Sequence, residues 1–388
     1  MPRHLLLNLQ TTALPAAISQ TGNEQAISTW AQLQEEGWAP LILAMMWEDY
    51  RAFTTTISDG DRQQKWGPYF GVMPEVFTTP MFWPEDDLEH LKGTSIEGKL
   101  GKEDAEAVYH EKVAVFVESL PEVFGGDDAV RRKWFSLAKY HVMASRILSR
   151  SFHVKRQDVN HDEDEGSEDS DEEHENITDI SMVPMADMLN ALSSHANARL
   201  FFKPDVLEMR ATSDIPAGAQ IFNTYADPPN SDLLRRYGHV DEPNENDIVE
   251  VDARLICPDV ERLRWACEVW DVEEVVALGM PFEMQEEMIV LATIAAMSDE
   301  EFEKAVEGEK YPSARPTSES CKVVVEALKR RMEMLPSLEV VNENQRRAGV
   351  VRQGELAILR CYREEFEKEM KRLNEEGLKS TGSKKRKR

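Results

Sequence analysis

The apolar positions change period along the chain. Between Gln25 and about Arg150 they recur at helical spacing. Trp38 to Tyr50 is apolar with few breakers, and Val130, Trp134, Leu137, Tyr140 and Met143 sit near the period that marks one face of a helix. One continuous helix is therefore expected over Ala129–Ile147. A stretch punctuated by Trp and Pro lies between them, from Trp66-Gly67-Pro68-Tyr69-Phe70 to Phe82-Trp83-Pro84, and reads as an ordered, irregular connection. From Ile180 the period drops. Leu200 and Phe202, then Leu207, Met209 and Ala211, alternate with polar residues about Lys203-Pro204-Asp205, which is a hairpin pattern. Pro216-Ala217-Gly218 reads as a turn, Ala219–Tyr225 as a further short strand, and Ser231–Tyr237 as a short helix that Gly238 is placed to end. Residues 1–14 read as a short strand or turn.

Beyond about Asn244 the pattern is helical to the end. Ser298-Asp299-Glu300-Glu301 has capping-box spacing ahead of Phe302. Leu359, Tyr362, Phe366, Met370 and Leu373 form an apolar stripe on a charged final helix, and the stripe reads as core packing.

Composition sharpens this picture. With 388 residues, 41% hydrophobic content and eight Trp, the chain can hold two or three domains with cores of their own. No apolar run approaches the ~20 residues of a membrane span, so no membrane partner is expected. The N-terminus lacks the charged, apolar and small-residue succession of a signal peptide. Cys257, Cys267, Cys321 and Cys361 are dispersed with no C-x-x-C pair. That spacing offers no zinc site and no disulfide framework, and it suits a reducing compartment.

The net charge of −27 is unevenly placed. Between Asp158 and Asp179 there are twelve acidic residues and no Lys or Arg. The heart of that tract has no large apolar side chain to offset its ordering entropy, so a disordered loop is expected over 157–179. The last eighteen residues carry eight Lys or Arg against two Glu. A basic, disordered tail is expected over 378–388, of the kind that directs proteins to the nucleus, with the cytoplasm as a further location. An acidic body suits a basic protein partner better than direct contact with nucleic acid.

The stretch Met182–Gly238 gathers the candidate chemistry. Tyr225 ends a strand and leads into Asp227-Pro228-Pro229, where a side chain can face a cleft; it also reads as a strand-end core tyrosine. Tyr237 reads equally as helix-end packing, Asn190 as a turn residue, and Asp187 as a cap on local backbone. Singly, none of the four decides.

Their order and spacing do more. Pro184-Met185-Ala186-Asp187-Met188-Leu189-Asn190, a hairpin, Ile215-Pro216-Ala217-Gly218-Ala219-Gln220-Ile221-Phe222-Asn223-Thr224-Tyr225, and then Asn230-Ser231-Asp232-Leu233-Leu234-Arg235-Arg236-Tyr237-Gly238 follow one another. Together they resemble the Rubisco large-subunit methyltransferase class of SET-domain protein-lysine methyltransferases, and within it the fungal ribosomal lysine methyltransferase 4 group. Ser149-Arg150-Ser151-Phe152 is similar to that class's Ser-Arg-x-Phe element.

The resemblance implies an α+β fold. Residues 1–243 would form a SET domain with a helical insertion over 25–150, and 244–377 a helical, all-α substrate-binding domain. It implies S-adenosylmethionine as cofactor and a basic protein, a large-subunit ribosomal protein, as substrate. Tyr225 would be the catalytic tyrosine. Asn190, the Ala191 backbone and Arg150 would contact the cofactor, and Asp187 and Tyr237 would line the substrate side. The chain departs from the class in having Ala191 where an imidazole is usual. It also opens at Met1-Pro2-Arg3-His4-Leu5, which looks like the segment after the class's Gly-x-Gly strand-turn. The N-terminal SET strands are thus expected to be missing, and the alternative function is a catalytically impaired, SET-like protein-binding module.

Overall fold

The structure, a computed structural model, describes residues 1–54, 66–156, 178–191, 196–308 and 312–385. The chain folds as two compact units. The first comprises Met1–Phe77 and Gly101–Asp227, the second Thr78–Leu100 and Pro228–Arg388.

The helical part of the first unit is built about α3 (Ala39–Thr54), preceded by α1 (Leu14–Gln20) and α2 (Glu24–Leu33). Every residue of α3 from Ala39 to Asp49 is buried, as expected for a helix apolar on all sides. The two carboxylates in that run are satisfied. Glu48 accepts from the Thr12 hydroxyl at 2.8 Å and the Ala13 N–H at 2.9 Å, while Asp49 pairs with Lys139 at 2.6 Å. After α4 (Lys102–Val108) come a π-turn (Tyr109–Val113) and α5 (Ala114–Ser119).

Where one helix was expected over Ala129–Ile147, there are two, α6 (Asp128–Trp134) and α7 (Leu137–Arg150). The break falls at Phe135-Ser136. Ser136 takes an extended backbone and its hydroxyl accepts from the Lys139 N–H, so it caps a new helix instead of continuing the old one.

The strands follow. β1 (Ser151–Lys155) pairs antiparallel with β2 (Thr178–Met182), and β3 (Asn190–Ala191) pairs parallel with β6 (Phe222–Asn223). β4 (Ala198–Phe202) and β5 (Leu207–Ala211) form the expected hairpin, with Phe202 opposite Leu207. Leu6, Val154, Val183, Ala186, Leu200 and Leu207 close a small core on these strands. Residues 3–5 form a short 3-10 turn, flanked by single bridges from Pro2 to Val206 and from Leu7 to Met182.

Two expectations shift here. The strand expected over Ala219–Tyr225 is only Phe222–Asn223, because the Asn197 side chain takes the Gln220 carbonyl and the Phe222 N–H in place of a neighbouring strand. Of the acidic tract, Thr178 and Asp179 belong to β2, where they face Lys155 and Val154; residues 157–177 lie outside the described residues.

The second unit is mainly helical: α8 (Val260–Trp270), α9 (Glu286–Ala296), α10 (Asp299–Glu307), α11 (Ser318–Glu333) and α12 (Glu343–Lys385). The Ser298–Glu301 capping box is formed. Leu359, Tyr362 and Phe366 are buried, with Met370 and Leu373 packed against the same core. The helical reading needs one correction. An antiparallel pair, β7 (Ile248–Asp252) with β8 (Val275–Gly279), buries Val249, Val251, Val276 and Leu278 beneath the helices. The final helix also runs to Lys385, past the expected start of the tail at 378. No proline interrupts it.

The expected boundary at 243/244 falls inside this unit. Asn230 is buried and donates to both carboxylate oxygens of Asp247 at 2.7 and 3.0 Å, which ties 228–247 into it. Thr78–Leu100 joins in the same way. Asp87 accepts from Asn342, Asn344 and Gln345 at 2.8, 2.8 and 2.9 Å. Glu355 accepts from the Ser95 N–H at 2.8 Å, and Arg331 donates to the Gly93 carbonyl at 2.6 Å.

Candidate active site

Residues 183–191 carry most of the site. Met185 has φ +74°, a conformation that costs a side-chain-bearing residue about 1–2 kcal/mol. The reversal leaves Met185 and Met188 exposed, at 71% and 45%, while Asp187 between them is turned inward and is 5% exposed. The Asp187 N–H donates to Val183 at 3.2 Å, closing the turn.

Arg150, the last residue of α7, donates from Nη1 to the Asp187 carbonyl at 2.7 Å; its Nε is buried without a hydrogen-bond partner among the described residues. Asn190 follows at the exposed start of β3, with Ala191 half-buried beside it. Both pair with β6, Asn190 opposite Phe222 and Ala191 opposite Asn223. That pairing brings Tyr225 in. Its hydroxyl donates to the Leu189 carbonyl at 3.0 Å, and the next residue, Ala226, is also left-handed at φ +62°. Two strained, non-glycine residues therefore flank the inward-facing side chains.

The structure thus brings Arg150, Asp187, Asn190, Ala191 and Tyr225 together within the first unit. Tyr237 belongs to the second. It ends a π-turn (Leu233–Tyr237) that Gly238 terminates at φ +75°, with its ring 6.0 Å from that of His239. A Cβ on Gly238 would lie 2.5 Å from the Thr78 hydroxyl oxygen and 2.9 Å from the Thr78 carbonyl carbon, so only glycine fits there.

One residue not anticipated from sequence touches the site, and a second lies beside it. The Tyr69 hydroxyl donates to Asp187 Oδ2 at 2.6 Å. Arg146, one turn before Arg150 and 1% exposed, donates from Nε to the Pro74 carbonyl at 3.0 Å. The sequence did hold a signal for Tyr69, in the dense Trp-Gly-Pro-Tyr-Phe run; nothing in that run pointed to Asp187.

Electrostatically the site is a buried mixture of charges. Burial raises the Asp187 carboxyl above its ordinary range, opposed by the Tyr69 hydrogen bond and by Arg150. Burial also raises the Tyr225 hydroxyl, with Arg150 opposing and Asp187 adding. Tyr225 is therefore a neutral phenol at physiological pH, able to donate and accept but not to act as a base. Among the described residues Arg150 Nε–H and Asp187 Oδ1 have no partner, which leaves one buried donor and one buried acceptor at the site.

Comparison with solved structures places the fold. The chain matches the crystal structure of the SET domain of LSMT bound to methyllysine and AdoHcy with a TM-score of 0.62, covering 97% of this chain and 82% of that one at 17% identity. It matches Rubisco LSMT bound to AdoMet at 0.60, with the same coverage and 16% identity. The fold is of the SET type, α+β with a large helical content.

No family model matches the chain. Among curated proteins it is 35% identical to ribosomal lysine N-methyltransferase 4 of Saccharomyces cerevisiae over 213 residues, 54% of this chain and 40% of that protein. It is 30% identical to N-lysine methyltransferase SETD6 of Homo sapiens over 261 residues, 66% of this chain and 48% of that protein. Over 370 residues it is 30% identical to N-lysine methyltransferase setd6 of Salmo salar, 88% of this chain and 72% of that protein. The chain belongs to the SET-domain N-lysine methyltransferases. It spans 40% and 48% of the lengths of the yeast and human relatives.

Proposed function

We propose that this chain is an S-adenosylmethionine-dependent protein-lysine N-methyltransferase acting on a basic protein of the large ribosomal subunit. The carrying observation is the convergence of Arg150, Asp187 and Tyr225 on the 186–191 turn, in a chain of this family.

The residues present suit the cofactor. Arg150 has a buried N–H with no acceptor among the described residues, which fits a carboxylate, and the Asn190 side chain with the Ala191 backbone would hold the remainder. When bound, the cofactor supplies an electrophilic methyl group on a cationic sulfonium.

The chain's own residues do the rest. Asp187 favours entry of the substrate ammonium through Oδ1. Tyr225 orients the amine nitrogen, because a neutral hydroxyl held by the Leu189 carbonyl has a fixed direction. A free lysine has a pKa of about 10.4, so the amine must lose its proton before it can act as a nucleophile. The nearby guanidinium of Arg150 disfavours the ammonium and eases that loss. Alignment of this kind is worth several kcal/mol by itself.

The similarity to ribosomal lysine N-methyltransferase 4 and the acidic balance of the chain support a basic ribosomal substrate. The terminal Lys384-Lys385-Arg386-Lys387-Arg388 cluster supports a nuclear location. Two measurements test the reading. Calorimetry is expected to give micromolar binding of S-adenosylmethionine, and binding absent up to millimolar would turn the reading to a protein-binding module. Incubation with radiolabelled S-adenosylmethionine and large ribosomal subunits from Saccharomyces cerevisiae lacking its own methyltransferase 4 is expected to label a protein of that subunit. Asn190→Ala is expected to abolish the labelling, and equal labelling by that variant would remove Asn190 from the site.

A further inference from the structure

Tyr69 lies in a four-residue helix, Gly67–Phe70, and is 7% exposed. Its only polar atom points at the site, donating to Asp187 Oδ2 at 2.6 Å across 118 residues of sequence. The second carboxylate oxygen, Oδ1, is buried with no hydrogen-bond partner among the described residues. Neither neighbouring arginine serves it. Arg150 gives Nη1 to the Asp187 carbonyl, and Arg146 gives Nε to the Pro74 carbonyl. Each arginine keeps one buried nitrogen of its own, Arg150 Nε and Arg146 Nη2, and neither nitrogen is bonded to Oδ1, which is thus placed to accept from a ligand N–H.

We propose that Tyr69 is a positioning residue of the transfer site: by occupying Oδ2 it fixes the Asp187 carboxylate and keeps Oδ1 open to one N–H of an entering lysine ammonium. The inference rests on the methyltransferase reading and extends it to substrate entry. A carboxylate pinned at one oxygen cannot rotate freely, so the other oxygen is presented in one direction. The ionisable groups that face this carboxylate are Tyr69 from the short helix, Arg150 from α7 and Tyr225 beyond β6, and Arg146 faces Tyr69. With guanidinium groups this close, an ammonium is admitted only while Asp187 is anionic. The Tyr69 hydrogen bond favours that anion against burial.

The test is Tyr69→Phe in the full chain, which keeps the ring and deletes the hydroxyl; thermal unfolding checks that the variant is folded. Methyl transfer to the large ribosomal subunits is followed against pH. Without the hydroxyl, Asp187 holds its proton to higher pH. The acid limb of kcat/KM is therefore expected to move up by about one pH unit, with a loss of about tenfold on that limb. The two profiles should converge at alkaline pH, and affinity for S-adenosylmethionine should be unchanged. A limb at the wild-type position, or a uniform loss at every pH, would overturn the proposal, since a merely structural role moves the height and not the position.

If the wild type transfers no methyl group, it is the methyltransferase reading that fails. Tyr69 is then judged by carboxyl-carbon NMR of aspartate-labelled protein, with Asp187→Asn assigning the signal. An Asp187 titration displaced upward in Tyr69→Phe supports the positioning role, and an undisplaced one refutes it.

Discussion

The Tyr225 hydroxyl donates to the Leu189 carbonyl at 3.0 Å, so the side chain that follows β6 is tied to the residue just before β3. The bond fixes the phenol's direction without removing its capacity to accept a hydrogen bond from an amine. It also holds together two turns that each contain a left-handed residue, Met185 and Ala226. Strain of this kind persists only where the surroundings determine the conformation several times over.

Tyr225→Phe is therefore expected to leave the fold nearly unchanged, since a half-buried hydrogen bond to a carbonyl contributes about 1 kcal/mol. In the proposed mechanism methyl transfer depends on the hydroxyl itself, so kcat is expected to fall about a hundredfold or more. Under the proposed role, in which Tyr225 orients the amine and not the cofactor, binding of S-adenosylmethionine should stay within about threefold of wild type. Single-turnover labelling alongside calorimetry measures the two separately. A loss of cofactor affinity equal to the loss of rate would assign Tyr225 to cofactor binding instead.

Asp187→Asn separates stability from function. The carboxyl is 5% exposed and burial raises its pKa, so in its charged form it costs the fold free energy. An amide of the same shape still accepts the Tyr69 hydrogen bond through its oxygen and carries no charge to bury. The variant is expected to melt at or above the wild-type temperature while kcat/KM for the protein substrate falls about tenfold or more. Parallel thermal melts and initial rates decide the point, and a variant both less stable and less active would mean that the charge supports the fold.

How much of this was legible in the sequence depended on distance along the chain. The hairpin could be read because Leu200, Phe202, Leu207 and Met209 alternate about a local turn. The buried helix α3 was visible because its apolar run is unbroken. Asp187, Asn190 and Tyr225, each too ordinary to stand alone, stood out through the family resemblance that their order and spacing carry. What stayed hidden was non-local. Val249 and Val251 form half of a strand pair whose partner comes only after α8, so each strand by itself is too short a pattern to outweigh the surrounding helical period. The tie from Tyr69 to Asp187 spans 118 residues, and no periodicity reports a contact of that range. Ser136 is the opposite case, a local cap that was present in the sequence but masked by apolar residues on both sides in helical register.

Gly93→Ala tests how Thr78–Leu100 is bound into the second unit. Gly93 has φ +78°, and a Cβ there would fall 1.8 Å from the Met334 carbonyl oxygen. That oxygen belongs to backbone, which cannot rotate aside. The same glycine's carbonyl accepts from Arg331. The substitution is expected to destabilise the unit by about 3 kcal/mol or more, through strain at a left-handed residue and a displaced backbone. Urea unfolding gives the value. A loss below about 1 kcal/mol would mean that the 93–95 turn is free to move away from residues 331–355.

Glu355 should make the second unit's stability depend on pH in an unusual direction. Its carboxyl is 2% exposed, accepts from the Ser95 N–H, and lies 3.3 Å from Arg331. Burial, with Asp247 adding, pushes its pKa up to about 7 against the opposing pull of Ser95 and Arg331. In the unfolded chain the group titrates near 4.5. Between those two values the folded state binds more protons than the unfolded state, so this group's contribution is fully present below pH 4.5 and is lost as pH rises through about 7. Paired carboxylates whose folded pKa is depressed behave in the opposite sense. Glu355→Gln cannot titrate, yet it preserves an acceptor for Ser95. The stability of the wild type relative to Glu355→Gln is therefore expected to fall by roughly 2–3 kcal/mol between about pH 4.5 and pH 7. Taking the difference cancels the titration of every other group. Urea unfolding of both proteins across that range measures it, and a flat difference would mean that the Arg331 pair holds Glu355 ionised throughout.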